Sequence, residues 1–111
     1  MDADFVVCGY YINTGKTASA ILGAYKGGEI AYQGHATLGI SRQDFGIMAK
    51  SQKADKNKYH GFPDIDGAIW LSPRLVCRVE FIERTTSGGL RQPVFRGLRD
   101  DKTAEECVVK G

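Results

Sequence analysis

Cysteine is scarce and scattered in this chain: Cys8, Cys77 and Cys107 are the only three, widely spaced and odd in number. No C-x-x-C pair and no His/Cys cluster of zinc spacing occurs, which sets aside a zinc module. The three read as reduced, half-buried small residues of a cytoplasmic protein. No apolar run approaches the ~20 residues a membrane helix needs. The start, Met1-Asp2-Ala3-Asp4, is acidic and opens into a strand-like run, which is not the pattern of a signal peptide. Histidine is rare too. His35 and His60 are far apart, and neither sits beside a Ser or Cys in a suggestive motif, so nothing argues for a hydrolytic site. Charge of one sign is not in excess, since the formal net charge is only +2.

What is present is an ordinary globular composition, 42% hydrophobic and 25% charged, in 111 residues. That length suits one domain with one core, spanning residues 1–111. The 14 glycines are many, and their spread reads as turns and bulges between short strands.

Residues 4–12 are β-branched and aromatic and predict a strand buried on much of both faces. Asn13-Thr14-Gly15-Lys16 is a turn, 20–25 a second strand, and Gly27-Gly28 a tight hairpin into a third. In that third strand Ile30, Tyr32, Gly34, Ala36 and Leu38 share one face, with Ala31, Gln33, His35 and Thr37 on the other. Ser41-Arg42-Gln43-Asp44 has the S-x-x-D form that starts a helix, and Phe45, Met48 and Ala49 give it an apolar face fading by about Ala54. Residues 55–68 read as a loop. Strands resume at 69–71, broken by Pro73, and continue with Leu75, Cys77, Val79 and Phe81 pointing one way while Arg78, Glu80 and Arg84 point the other. Gly88-Gly89 predicts a second hairpin, 90–95 the last strand, and Thr103-Ala104-Glu105-Glu106 a short terminal helix. The expected fold class is all-β: a five-stranded OB-fold barrel with a helix between strands 3 and 4 and a short C-terminal helix.

Three charged motifs compete for attention. Gly15-Lys16-Thr17 resembles the end of a P-loop, but the required glycine five residues earlier is Tyr10, so a plain turn is the better reading. Lys53-Ala54-Asp55-Lys56 resembles the K-x-D-G of nucleotidylated lysines without its glycine, and reads as a solvated charge run. The third motif lies in residues 95–102, where Arg96, Arg99 and Lys102 crowd against Asp100 and Asp101 in a predicted turn after a strand. Phosphate chemistry needs such a group: Arg offers bidentate planar contacts, Lys a compact charge, and an Asp between them can hold both in place. On composition alone a surface ion-pair cluster is the favoured reading.

The flanking residues change that weighting. Arg99-x-Asp101-Lys102 matches motif VI (R-x-D-K) of the nucleotidyltransferases. Residues 90–102 resemble the "LRHPSFxGLREDK" of ATP-dependent DNA ligases, 4–10 their "EFVIGGY", 20–25 their "LLLGVY", and Tyr32-Gln33-Gly34 their "YVG". Trp70, Pro73, Leu75 and Val76 fall where those ligases have "WVRPELV". The chain thus resembles, in order and over nearly its whole length, the C-terminal OB domain of the bacterial ligases used in double-strand-break end joining. It departs at His35 and Ser72, where basic residues are usual, and at Thr37-Leu38-Gly39-Ile40, which lacks the aromatic of G-T-G-F.

The resemblance implies a part of an ATP-dependent DNA ligase, without ligation by this chain alone. A nucleotidyltransferase domain, in cis or in trans, would supply the lysine, with ATP and Mg²⁺ acting through that domain. Arg99 and Lys102 would bind the triphosphate tail, Asp101 would orient them, and residues 1–5 would lie at the interdomain hinge. Nicked duplex DNA would be the other partner, with Lys16, Arg42, Arg74, Arg84 and Arg91 as the candidate contacts by charge and position near loops. No contact with membrane is implied. Two other readings stay open: the OB domain of an RNA ligase or mRNA capping enzyme, and a free-standing nucleic-acid-binding OB module stacking bases on Tyr10, Tyr11, Tyr32 or Trp70.

Overall fold

A computed structural model describes residues 1–86 and 89–109. Among the described residues six strands carry the fold: β1 (Asp2–Ile12), β2 (Ala18–Lys26), β3 (Glu29–Ala36), β4 (Ile69–Trp70), β5 (Val76–Glu80) and β6 (Val94–Arg99). All named strand pairs are antiparallel, in the order β3-β2-β1-β5-β6, and β4 also pairs with β1. The ends of this path meet at one parallel bridge, Leu38 to Val94, where Phe95 N–H donates to the Leu38 carbonyl at 2.8 Å. The result is the expected all-β, OB-like architecture. Its fourth strand is split in two by Ser72-Pro73-Arg74, because proline cannot donate to a ladder.

β1 is the spine. Phe5, Val7 and Tyr10 enter the inner core, while Val6 and Cys8 enter an outer cluster. Residues 2–5, which the resemblance places at a hinge, are laddered to β5, with Asp2 opposite Glu80 and Phe5 opposite Cys77. The inner core gathers Leu22, Ala36, Met48, Leu71, Cys77, Val79, Phe81 and Phe95. Cys77, Val79 and Phe81 face in and Arg78 and Glu80 face out, as their alternation requires.

Several expectations give way here. Gln33 is an extra residue in β3 between the Gly23–Tyr32 and Leu22–Gly34 pairs, so the strand changes face at that point. Ile30 and Tyr32 consequently pack on the outer cluster and Ala36 on the inner core, and Leu38 is 65% exposed. The last strand runs over Val94–Arg99 rather than 90–95. Gln92 sits at φ +50° and Pro93 lacks an N–H, so the ladder begins only after them; Leu90 keeps a single bridge to Arg84. Of the predicted second hairpin glycines, Gly88 lies outside the described residues, and Gly89 O accepts from Thr85 N–H at 2.9 Å.

The helix α1 (Arg42–Lys50) begins where Ser41 Oγ accepts from Asp44 N–H at 3.0 Å, and it ends earlier than Ala54, at the Ser51 cap. The predicted C-terminal helix is a single 3₁₀ turn, Ala104–Glu106. The 55–68 loop is not mere surface. It delivers Tyr59 and Phe62 onto Trp70, with ring centroids 5.2 and 5.9 Å away, and Tyr59 is fully buried, its hydroxyl donating to the Leu71 carbonyl.

Candidate functional site

The R-x-D-K residues owe their placement to a second bulge. β6 pairs Gly97 with Arg78 and Phe95 with Val79, leaving Arg96 as the extra residue. Phe95 and Leu98 can therefore both face the inner core, and Arg99 emerges on the outer face beside Asp4. Without the bulge, simple alternation would put Arg99 on the same face as Phe95. Gly97 makes this possible by adopting φ +142°, a region that side chains avoid. Asp44 steadies the spot from α1, its Oδ2 accepting from Leu98 N–H at 3.2 Å.

Arg99 is thus the end of a strand rather than part of a turn, and only residues 100–102 turn away from it. Its guanidinium is held from two sides. Nη1 donates to both oxygens of Asp4 at 3.2 Å, while Nε and Nη2 donate to the two oxygens of Asp101 at 3.1 and 2.8 Å. Asp101's hydrogen bonds, joined by those of Asp4, outweigh partial desolvation and hold Arg99 more firmly protonated than a free guanidinium. The same hydrogen bonds hold the Asp101 carboxyl below the ordinary carboxylate range. Lys102 Nζ lies 3.8 Å from Asp4 Oδ2 and 3.9 Å from Glu106 Oε2. Arg78 approaches Asp4 from β5 at 3.4 Å and Asp2 at 3.9 Å.

Asp101 therefore contacts Arg99 but not Lys102 through these bonds. Asp4 is the carboxylate that the two motif cations share. The sequence placed Asp4 only in the hinge segment 1–5 and gave it no contact with the motif cations. The available signal was a carboxylate at the head of an otherwise apolar strand.

Beside this cluster lies a groove of about 450 Å³ lined by Asp4, Phe5, Phe81, Arg84 and Lys102 among others. Arg84, one of the candidate DNA contacts, rests over the rings of Phe5 and Phe81 at 5.7 and 5.6 Å and donates to Gln33 Oε1 at 2.9 Å. Lys16 and Arg42 share a different groove, of about 420 Å³, with Ile12, Leu38, Ile40 and Phe45. Arg91 pairs with Glu83 at 2.8 Å, Arg74 is exposed in the turn after Pro73, and neither lines either groove. The five candidate contacts thus do not line one groove.

The remaining motifs resolve simply. Lys16 sits in a turn at φ +68° closed by Asn13 and Thr17. Lys53 Nζ donates to the Ala49 and Ser51 carbonyls, and Lys56 Nζ to the Phe62 carbonyl, so both anchor backbone. Among the described residues no group of three or more His, Cys, Asp or Glu is arranged to hold a metal ion. No helix among them is long and apolar enough to cross a membrane.

The body is OB-like and gathers the R-x-D-K residues on its outer face. Residues 13–102 match the ATP dependent DNA ligase C terminal region, and the chain belongs to that family. It is similar to the multifunctional non-homologous end joining protein LigD of Mycolicibacterium smegmatis, 42% identical over 64 residues, covering 55% of this chain and 8% of that protein. The LigD of Pseudomonas aeruginosa is 46% identical over 39 residues, 35% of this chain and 5% of that one. Among solved structures, the ligase domain of M. tuberculosis LigD superposes with a TM-score of 0.85 at 26% identity, over 99% of this chain and 39% of that one. A mycobacterial DNA ligase D complexed with ATP and MES gives 0.82 at 28%, over 99% and 38%. The chain therefore spans under a tenth of these curated relatives and about two fifths of the solved ligase chains.

Proposed function

We propose that this chain works as the C-terminal OB part of an end-joining DNA ligase, presenting Arg99 and Lys102 to the β- and γ-phosphates of ATP. The observation that carries the reading is their convergence on one carboxylate, with Nη1 of Arg99 at 3.2 Å and Nζ of Lys102 at 3.8 Å from Asp4. Two cations fixed on one patch can orient a polyphosphate, whereas two free surface cations would first have to be ordered.

In the reaction of this family, a lysine of the nucleotidyltransferase domain attacks the α-phosphorus. A P–N bond forms, the bond to the β-phosphate oxygen breaks, the lysine gives up a proton, and pyrophosphate leaves. The role assigned to Arg99 and Lys102 is to align the leaving pyrophosphate and neutralise its growing charge. Asp101 keeps the planar Arg99 fork aimed. Mg²⁺ would be held with the ATP by the catalytic domain, where it would offset phosphate charge. A cytoplasmic, DNA-repair setting follows from the same reading.

Duplex DNA is the second proposed partner. The groove holding Lys16 and Arg42 is the best-supported contact among the predicted residues, because it pairs two cations with an exposed apolar floor suited to sugar faces. Binding through it should weaken steeply with salt. The free-standing module reading loses support, since Tyr10 and Trp70 are buried and Trp70 is covered by Tyr59 and Phe62.

The test is reconstitution with a nucleotidyltransferase domain of the same ligase type, following transfer of labelled AMP to its lysine. The reading expects stimulation by this chain and its loss in Arg99→Ala. No stimulation, together with preferred binding of single-stranded DNA, would favour the binding module.

A further inference from the structure

We infer that Asp4, on β1, is the positioning residue that sets the geometry of both phosphate-directed cations; this rests on the triphosphate reading above. Three observations support it. Asp4 is the most enclosed carboxylate of the cluster, its side chain 16% exposed against 62% for Asp101, 56% for Asp2 and 51% for Glu106. It is also the only one of these four, among the described residues, that reaches Arg78, Arg99 and Lys102 together.

The third observation concerns anchorage. Asp101 lies two residues from Arg99 on the turn that must itself be placed. Asp4 belongs to a strand laddered to β5 on one side, where it faces Arg78, and its neighbours Phe5 and Val6 are buried. A carboxylate on the turn can only make the turn self-consistent. A carboxylate on the spine fixes the turn relative to the whole domain. Asp4 therefore transmits the orientation of the barrel to Arg99 and Lys102, so that a rigid swing of the domain delivers both cations together.

Geometry also divides the labour between the two acids. Asp4 takes Nη1 of Arg99 from the enclosed side, and Asp101 takes Nε and Nη2 from the exposed side. A phosphate that accepts the second Nη2 hydrogen of Arg99 leaves both the Asp4 and the Asp101 contacts in place. Asp4 touches no reacting atom. It acts through the two cations.

The experiment is a double-mutant cycle in the reconstituted adenylylation assay, with Asp4→Asn, Asp4→Glu, Arg99→Ala and the Asp4→Asn/Arg99→Ala pair in the full chain. Urea midpoints are measured on each variant, and rates are taken where each is fully folded. Misplacing a catalytic group by about 1 Å costs on the order of 100-fold, so Asp4→Asn is expected to lower kcat for AMP transfer by ~10- to 100-fold. Asp4→Glu should recover part of that loss. In the Arg99→Ala background Asp4→Asn should cost clearly less than it does in the otherwise wild-type chain, because one of the two cations it positions is gone and only Lys102 remains. A purely structural Asp4 would give a loss that multiplies with that of Arg99→Ala and tracks the urea midpoint, and this overturns the inference. If Asp4→Asn transfers AMP at the wild-type rate while Arg99→Ala does not, Asp4 has no positioning role and the triphosphate reading survives. If Arg99→Ala itself is silent, the triphosphate reading fails and takes this inference with it.

Discussion

Replacing Gly39 with alanine should open the seam that closes the sheet and thereby loosen the strand that carries Arg99. Gly39 follows Leu38, whose carbonyl accepts the Phe95 N–H where the chain just past β3 bridges β6. Its φ is +93°, and a Cβ there would lie 2.3 Å from the Phe95 carbonyl oxygen and 3.1 Å from a Val94 methyl. The strained backbone alone costs about 1–3 kcal/mol. Moving Phe95 away to relieve the contact forfeits its hydrogen bond to Leu38, about 0.5–1.5 kcal/mol more. The total is ~2–4 kcal/mol, which at a urea dependence of about 1–3 kcal/mol per molar lowers the midpoint by on the order of 1–2 M. Gly46→Ala is the internal control. Gly46 is in α1, nothing lies within 4 Å of its would-be Cβ, and its φ is not positive. It should raise stability by about 0.5–1 kcal/mol through helix propensity alone. Urea unfolding followed by circular dichroism measures both, and hydrogen exchange at the Phe95 amide reads the seam directly. A Gly39→Ala chain with the wild-type midpoint and full protection at Phe95 would refute the closure argument.

Tyr59→Phe should cost about 1–3 kcal/mol in urea unfolding, since it leaves the buried Leu71 carbonyl without its donor while keeping the ring packing. The three thiols should resist a disulfide reagent near pH 8 in the native chain and all react once it is unfolded. Burial pushes Cys8 and Cys77 far above the ordinary thiol value and Cys107 up to about 11. A native thiol reacting at the rate of an unfolded one would contradict the packing of the cluster that holds it, the inner core for Cys77 and the outer cluster for Cys8 and Cys107. Asp101 and Glu80 are depressed by Arg99 and Arg96 respectively. Their stabilising contribution is fully present above the unfolded carboxylate values and is lost as pH falls through the lower folded ones. Asp101→Asn should therefore flatten the acid limb of stability against pH, and an unchanged limb would mean the fork to Arg99 is not made in solution.

The elements with strong alternation were legible in the sequence. The in-and-out pattern of Cys77, Arg78, Val79 and Glu80 and the Ser41 cap are local signals, and the structure follows them. What escaped was everything set by an inserted residue or a distant partner. The bulges at Gln33 and Arg96 change which face later residues take, and a period of two counted along the chain carries straight through them. The same limitation misplaced the last strand, whose start depends on the Gln92 backbone turning to positive φ. Tyr59 and Phe62 looked like loop residues because their burial depends on a cluster whose Val6, Cys8 and Ile21 lie far along the chain. At the site, Arg99 and Lys102 were visible as charges in a motif. Asp4 was not, because its contact with Arg99 spans 95 positions of sequence.

The most direct test of the central claim separates the two halves of the ligase reaction. With the chain reconstituted on a nucleotidyltransferase domain, Arg99→Ala and Lys102→Ala are compared in lysine adenylylation from ATP and in sealing of a nick whose 5′-phosphate already carries AMP. If these cations serve the triphosphate, adenylylation should fall by about 100- to 1,000-fold, the range for losing one charge-stabilising donor, while sealing of the pre-adenylylated nick stays near wild type. Equal losses in both steps, or loss in sealing alone, would contradict the account and place Arg99 and Lys102 on the DNA instead.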